Sequence, residues 1–236
     1  MIENYVVVDL EMTGMNLKKD HIIEIGALRV QGDQIDTFST LIDPGVSIPQ
    51  KIQELTGITD EMAAGGRNDV EAMEEFFAFV KGLPLVGHRI MGDYEFIKQW
   101  AVNHNIKYEC SGIDTLQIAR KYLPTEQKKS LDCLCDYYEI GMEHHHRALD
   151  DAQATYELLQ RLWEQFGEEE AAAFEPKPLL CKVKKIRLAT SRQKKFLQEL
   201  MTYHQIEDTI CWEQLSQSEA SRMTDRIISA KGRPSV

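Results

Sequence analysis

The chain has 236 residues, 43% of them apolar and 28% charged, which is enough to bury a sizeable core in one large domain or in a standard domain with an appendage. No apolar run approaches the roughly 18 residues of a membrane span, and the opening MIENYVVVDL lacks the pattern of a signal peptide, so no membrane partner is expected. The net charge of −11 is unevenly held: residues 176–236 carry 12 Lys+Arg against 6 Asp+Glu, an acidic body followed by a basic tail.

The first element is VVVDLEMTG, Val6 to Gly14. Three valines suit a buried strand, because β-branched side chains pack well on a pleated surface. The strand ends in two acids, Asp9 and Glu11, and residues two apart project from the same face. Left alone, two desolvated negative charges side by side are unfavourable, so something positive must sit beside them.

HIIEIGALRV and IDTFSTLID read as two more strands, joined by a QGDQ turn. A short helix and a loop are expected over QKIQELTGITDEM, and a longer helix from an Asn68 N-cap to Gly82. LPLVGH is a short buried strand. After it, GDYEFIKQWAVNH places Asp93, Phe96, Ile97 and Trp100 on one helical face, where the apolar three are core. TLQIARKYL, SLDCLCDYYEIG and DDAQATYELLQRLWEQF supply three further helices. Strands first, then helices alternating with a strand, predict an α/β three-layer sandwich with a mixed sheet over residues 1–170.

GEEEAAAFEPKP, with Pro176 and Pro178, reads as a linker, taken as 171–185. Beyond it, Thr190 with Gln193 and Ser216 with Glu219 form two capping-box patterns, which predict a small basic helical module over 186–236. The five cysteines (Cys110, Cys133, Cys135, Cys181 and Cys211) are odd in number and lack paired-ligand spacing. They argue against structural zinc and lead to the expectation of a cytoplasmic protein.

Two further stretches bear on the paired acids. One holds Asp93 at a helix start; the other, HHHRALDDAQATYELL, holds His146 and Asp151. On a regular helix five residues rotate a side chain about 140° off its face, so the two converge only if His146 sits on the loop before the helix. Three separated carboxylate segments make sense around a pair of divalent cations, since hard ions such as Mg²⁺ take oxygen ligands. Such a pair can stabilise both the attacking and the leaving oxygen of a phosphoryl displacement. The histidine, titrating near neutrality, suits a general base.

DLEMTG, VGHRIMGDYEFI and HRALDDA resemble, in order and spacing, the three motifs of the DnaQ-like, DEDDh-type 3′→5′ exonucleases, a family that includes the proofreading subunit of bacterial DNA polymerase III. The resemblance runs from about residue 4 to 166. It implies a ribonuclease H-like fold and two Mg²⁺ or Mn²⁺ ions held by Asp9, Glu11, Asp93 and Asp151. It further implies His146 as general base, and 5′-mononucleotides released from single-stranded DNA or RNA 3′ ends, with a DNA polymerase subunit as a possible partner. By the same likeness Met12, Thr13 and His88 are candidates for substrate contact, with a packed, hydrogen-bonded histidine as the other reading of His88. The middle motif departs from the usual G-H-N-x-x-F-D, with Arg89 for the asparagine and Gly92 for the aromatic.

Other readings stay open. DLEMTG also looks like the oligoribonuclease branch, which acts on short RNA, and a non-catalytic nucleic-acid-binding or polymerase-docking subunit is a reading of another class. Asp93 can equally be an acid favoured by a helix dipole, Asp150 a capping or solvated residue, and His144 with His145 a solvated loop or a metal cluster. The segment from Lys182 to Lys195 has seven basic residues and no acid. Lys184, Lys185, Arg187 and Arg192 are therefore candidate phosphate contacts, against docking or simple solvation.

Overall fold

The structure is a computed structural model that describes residues 2–141, 146–207, 210–212 and 214–233; the His144 and His145 readings fall outside them. Six strands, β1 (Asn4–Met12), β2 (Ile22–Gln31), β3 (Gln34–Leu41), β4 (Leu85–Gly87), β5 (Ser111–Asp114) and β6 (Lys177–Pro178), form one sheet in the order β3-β2-β1-β4-β5-β6. β1, β4 and β5 run parallel, while β2, β3 and β6 pair antiparallel to their neighbours, so the sheet is mixed as expected.

β1 lies inside the sheet and is covered on both faces, which is why its valine run is unbroken. Its odd residues Tyr5 and Val7 pack with α5 (Thr115–Tyr122), α6 (Leu131–Tyr138) and α7 (Ala148–Phe166). The even residues Val6, Val8 and Leu10 pack with α3 (Asp69–Val80) and α4 (Met91–Asn103) on the other face. Two short helices, α1 (Gln50–Thr56) and α2 (Asp60–Ala64), cover Ile23 with Ile48 and Ile58. Asn68 caps α3, accepting from the Glu71 amide at 3.0 Å. The helix ends one residue sooner than expected: Lys81 itself takes the left-handed cap (φ 50°), and Gly82 follows at φ 75°.

Two strands were not expected from sequence. β5 is only SGID, too short and too polar to show a period, and β6 is a dipeptide containing proline. β6 also corrects the linker. Residues 171–174 form a 3-10 turn whose Phe174 is 1% exposed and meets Trp163 edge-on, and Leu179 is buried in the second core. Prolines that suggest a flexible segment are tolerated here because β6 is an edge strand. Compact packing divides the chain into Met1–Ala101 with Ile106–Val183, and Val102–Asn105 with Lys184–Val236.

The second unit has its own small core of Leu197, Leu200, Met201, Leu215, Ala220 and Ile227. Its helices, α8 (Ser191–Tyr203) and α9 (Gln217–Lys231), both begin in the expected capping boxes, with Thr190 and Ser216 accepting from the amides of Gln193 and Glu219. Among the described residues no helix is long and apolar enough to cross a membrane.

Candidate active site

The chemistry gathers where β1 leaves the core. Asp9 stands opposite Gly26 on β2 and Glu11 opposite Glu24, with a bulge between Glu11 and Met12. Both acids continue the Tyr5–Val7 face, so they run toward the beginning of α7. Asp151 is in the first turn of that helix and is 8% exposed. Gly26 permits the approach: a Cβ there would fall 2.1 Å from the carbonyl carbon of Ala148 and from the Leu149 nitrogen. His146 precedes the helix with φ 61°, on the loop where the spacing requires it. Ligand atoms of Glu11, His146 and Asp151 all lie within 4.8 Å of one another.

Asp93 arrives by another route. β4 runs parallel to β1, so the helix that follows it starts at the same end of the sheet, where α/β folds place their ligands. Asp93 is 7% exposed, and the backbone amides of Leu10 and of Asp93 itself donate to its carboxylate. Burial is the largest influence on these groups. It pushes Asp93 up to about 7, with Asp114 adding repulsion and Arg89 opposing it. Glu11 is pushed up to about 8 by burial and by Asp151, Glu24 and Asp93, with Arg147 opposing. Asp9 lies well above the carboxylate range for the same reason, burial first and then Asp93, Asp151, Glu11 and Glu24. Carboxylates that resist ionisation together are a donor set fitted to hard cations, which would supply the missing positive charge.

Three residues of this neighbourhood were not singled out in the sequence. Glu24 is 2% exposed and accepts from Arg147 through Nη2 at 2.7 Å and Nε at 3.2 Å, and from the Ala148 amide at 3.0 Å. Asp114 caps α5 and accepts from the Arg89 amide at 3.0 Å. Only a glycine interrupting a strand pattern, Gly26, hinted that something approaches β2 closely.

The remaining candidates separate. The ring of His88 is used twice inside the protein, Nε2 donating to the Lys129 carbonyl at 2.8 Å and Nδ1 lying 2.9 Å from the Thr115 hydroxyl. Its ring nitrogens therefore brace β4, as the packed, hydrogen-bonded reading of His88 has it. The Thr13 hydroxyl accepts from the His21 amide at 2.9 Å and donates to Asp20 at 3.3 Å, while Met12 is half-buried against the second core. Lys184, Lys185, Arg187 and Arg192 are exposed in the second unit, which holds none of the five catalytic candidates; Lys185 donates to Asn105 at 2.6 Å.

A mixed sheet in this strand order, with acids and a histidine collected at the carboxyl end of its parallel strands, defines a ribonuclease H-like α/β fold with a candidate metal site. Comparison with known proteins agrees. A family model described as "Exonuclease" matches residues 6–159, well over half of the chain, and the chain belongs to that family. The chain is 37% identical over 169 residues to a DNA polymerase III subunit epsilon from Aquifex aeolicus, covering 69% of this chain and 84% of that protein. It is 40% identical over 168 residues to a PolC-type DNA polymerase III from Clostridium perfringens, where 71% of this chain spans 12% of the relative. Among solved structures, exonuclease X in complex with a 5′-overhanging duplex DNA superposes with a TM-score of 0.55 at 24% identity, over 69% of this chain and 92% of the other. The nuclease domain of 3′hExo, a DEDDh family member bound to rAMP, gives 0.58 at 16% over 74% and 96%. The chain accordingly belongs to the exonuclease family over residues 6–159, and it spans about an eighth of the length of the PolC-type relatives that it matches.

Proposed function

We propose that the protein hydrolyses the terminal phosphodiester of single-stranded DNA from the 3′ end, releasing one 5′-mononucleotide per cycle. The observation that carries this reading is the gathering of Glu11, His146 and Asp151 within 4.8 Å, beside the buried Asp9 and Asp93. Asp9, Glu11, Asp93 and Asp151 would hold two divalent cations, Mg²⁺ or Mn²⁺. Those ions, when bound, supply charge stabilisation to the attacking and leaving oxygens. His146 accepts the proton of the attacking water as its oxygen bonds to phosphorus and the bond to the 3′ oxygen breaks. The proton that the 3′ oxygen needs comes from solvent. Because His146 sits on a loop beside the acids, and not within the helix, its ring can face a water that the carboxylates orient.

The segment Met12–Thr13, next in the chain after Glu11, meets the terminal nucleotide. Lys184, Lys185, Arg187 and Arg192, exposed in the second unit, contribute nucleic-acid phosphate contacts of their own. A role beside a DNA polymerase is supported by the relatives, which are named DNA polymerase III PolC-type and DNA polymerase III subunit epsilon. The test is a product time-course on matched 5′-labelled DNA and RNA oligomers, including an RNA dinucleotide, with EDTA, Mg²⁺ or Mn²⁺. Stepwise shortening of DNA that requires metal and vanishes in Asp9→Ala is the expected result. Degradation by Asp9→Ala, or turnover of the RNA dinucleotide alone, refutes the reading.

A further inference from the structure

The nuclease reading leaves one strong interaction without a role. Glu24 is not in any of the three motifs, yet it is the most enclosed acid of the site region. It faces Glu11 across the β1–β2 ladder, where a fifth negative charge only worsens the crowding. A buried carboxylate in that position needs a compensating partner, and it has a specific one. Arg147 reaches it with Nη2 at 2.7 Å and Nε at 3.2 Å, a two-pronged contact of fixed geometry. The Ala148 amide adds a third donor at 3.0 Å.

The location of these donors matters. α7 has no side-chain cap of its own, since Arg147 occupies the cap position and its side chain makes no capping hydrogen bond. Glu24 therefore caps the helix from the neighbouring strand, satisfying an amide that the local sequence leaves open. The residue directly before Arg147 is His146, a non-glycine held at φ 61°. Such a conformation persists where surrounding contacts fix both sides of it. On the helix side, Arg147 and the Ala148 amide, the next two residues, are both held by Glu24. Gly26, two residues further along the same strand, lets the helix start press onto the sheet.

We propose that Glu24 and Arg147 form a positioning pair, which fixes the backbone of His146 so that the imidazole faces the attacking water. The pair works through His146, and so it rests on the nuclease reading above.

The test uses the full chain with Arg147→Met, Arg147→Lys, Glu24→Gln and the double variant Glu24→Gln/Arg147→Met. Arg147→Met leaves a buried charge unpaired and is expected to melt at a lower temperature. In the double variant both partners are neutral, and the glutamine oxygen can still accept from Ala148, so the thermal midpoint recovers. Activity does not. We expect kcat on single-stranded DNA to stay about 10–100-fold down, with KM and the Mn²⁺ concentration that half-stabilises the protein within about twofold of the parent. Arg147→Lys restores part of kcat. An independent readout is the His146 ring signal in ¹⁵N-histidine spectra, assigned with His146→Asn. It is expected to be single in the parent and broadened or split in the double variant.

A double variant that recovers both its midpoint and its kcat shows that the pair only stabilises the fold, and overturns the proposal. A shift in the Mn²⁺ midpoint that parallels the loss of kcat overturns it too, by placing the effect on the metal ligands. Failure of the nuclease reading is a separate outcome, visible as a parent protein that shortens no strand with any metal.

Discussion

Replacing Asp93 by asparagine should make the metal-free protein more stable at alkaline pH, although it removes a proposed metal ligand. Asp93 is 7% exposed and its pKa is pushed up to about 7 from 3.8, burial being the first cause. A carboxyl whose pKa rises on folding holds its proton more tightly in the native state than in the unfolded one. Its ionisation therefore costs the native state nothing below about pH 4, and the penalty grows as pH rises toward 7. A rise of about three pH units at 1.36 kcal/mol each sets an upper bound of about 4 kcal/mol. Shared repulsion with Asp9 lowers this, because removing one charge also relaxes its neighbour. About 2–4 kcal/mol is expected at pH 8, or about 6–12 °C at roughly 3 °C per kcal/mol for a chain of this size. Asparagine keeps an oxygen for the Leu10 amide, so the hydrogen bond does not confound the comparison. The assay is calorimetry in EDTA at pH 4.5 and pH 8, repeated with Mn²⁺. The variant should gain only at pH 8, and the parent alone should gain from Mn²⁺. A variant that melts lower than the parent at pH 8 in EDTA, or a parent equally stable at both pH values, would refute the claim that these acids are crowded and desolvated.

Other expectations follow from packing and hydrogen bonding. Gly26→Ala puts a methyl 2.1 Å from the backbone of α7, which cannot shift cheaply; the variant should lose about 3 kcal/mol or more in urea melts, together with its activity. His88→Ala leaves the Lys129 carbonyl and the Thr115 hydroxyl without their ring partner. It should cost about 1–3 kcal/mol while leaving KM for DNA nearly unchanged, and a large rise in KM would return His88 to the substrate site. Thr190→Ala and Ser216→Ala each break a complete capping box and should each cost about 1 kcal/mol in the stability of the second unit, read by amide exchange in α8 and α9. Neutralising Lys184, Lys185, Arg187 and Arg192 to glutamine should flatten the log–log salt dependence of single-strand affinity, the slope falling by about 0.7 for every phosphate that the tail no longer neutralises; an unchanged slope removes the tail from the phosphate path.

Much of this protein was legible before any coordinates. The Val6–Val8 run, the β2–β3 hairpin, the Asn68 cap and both capping boxes are local patterns, and local patterns are set by neighbours in the chain. Strand alternation put Asp9 and Glu11 on one face, while the full set with Asp93, His146 and Asp151 was what the likeness to the DnaQ-like exonucleases implied. What the chain could not reveal by itself lies where distant segments meet. Glu24 and Arg147 are 123 residues apart, and although Arg147 lies inside HRALDDA, nothing in that stretch names its partner. Phe174 lies in an acidic, alanine-rich stretch that looks like linker, and its burial depends on Trp163 of α7. His88 looked like part of a site until the Lys129 carbonyl and Thr115 took both of its nitrogens. Periodicity assigns a side chain to a face, but only the closed fold decides what that face meets, because burial and hydrogen-bond partners are properties of the packed whole.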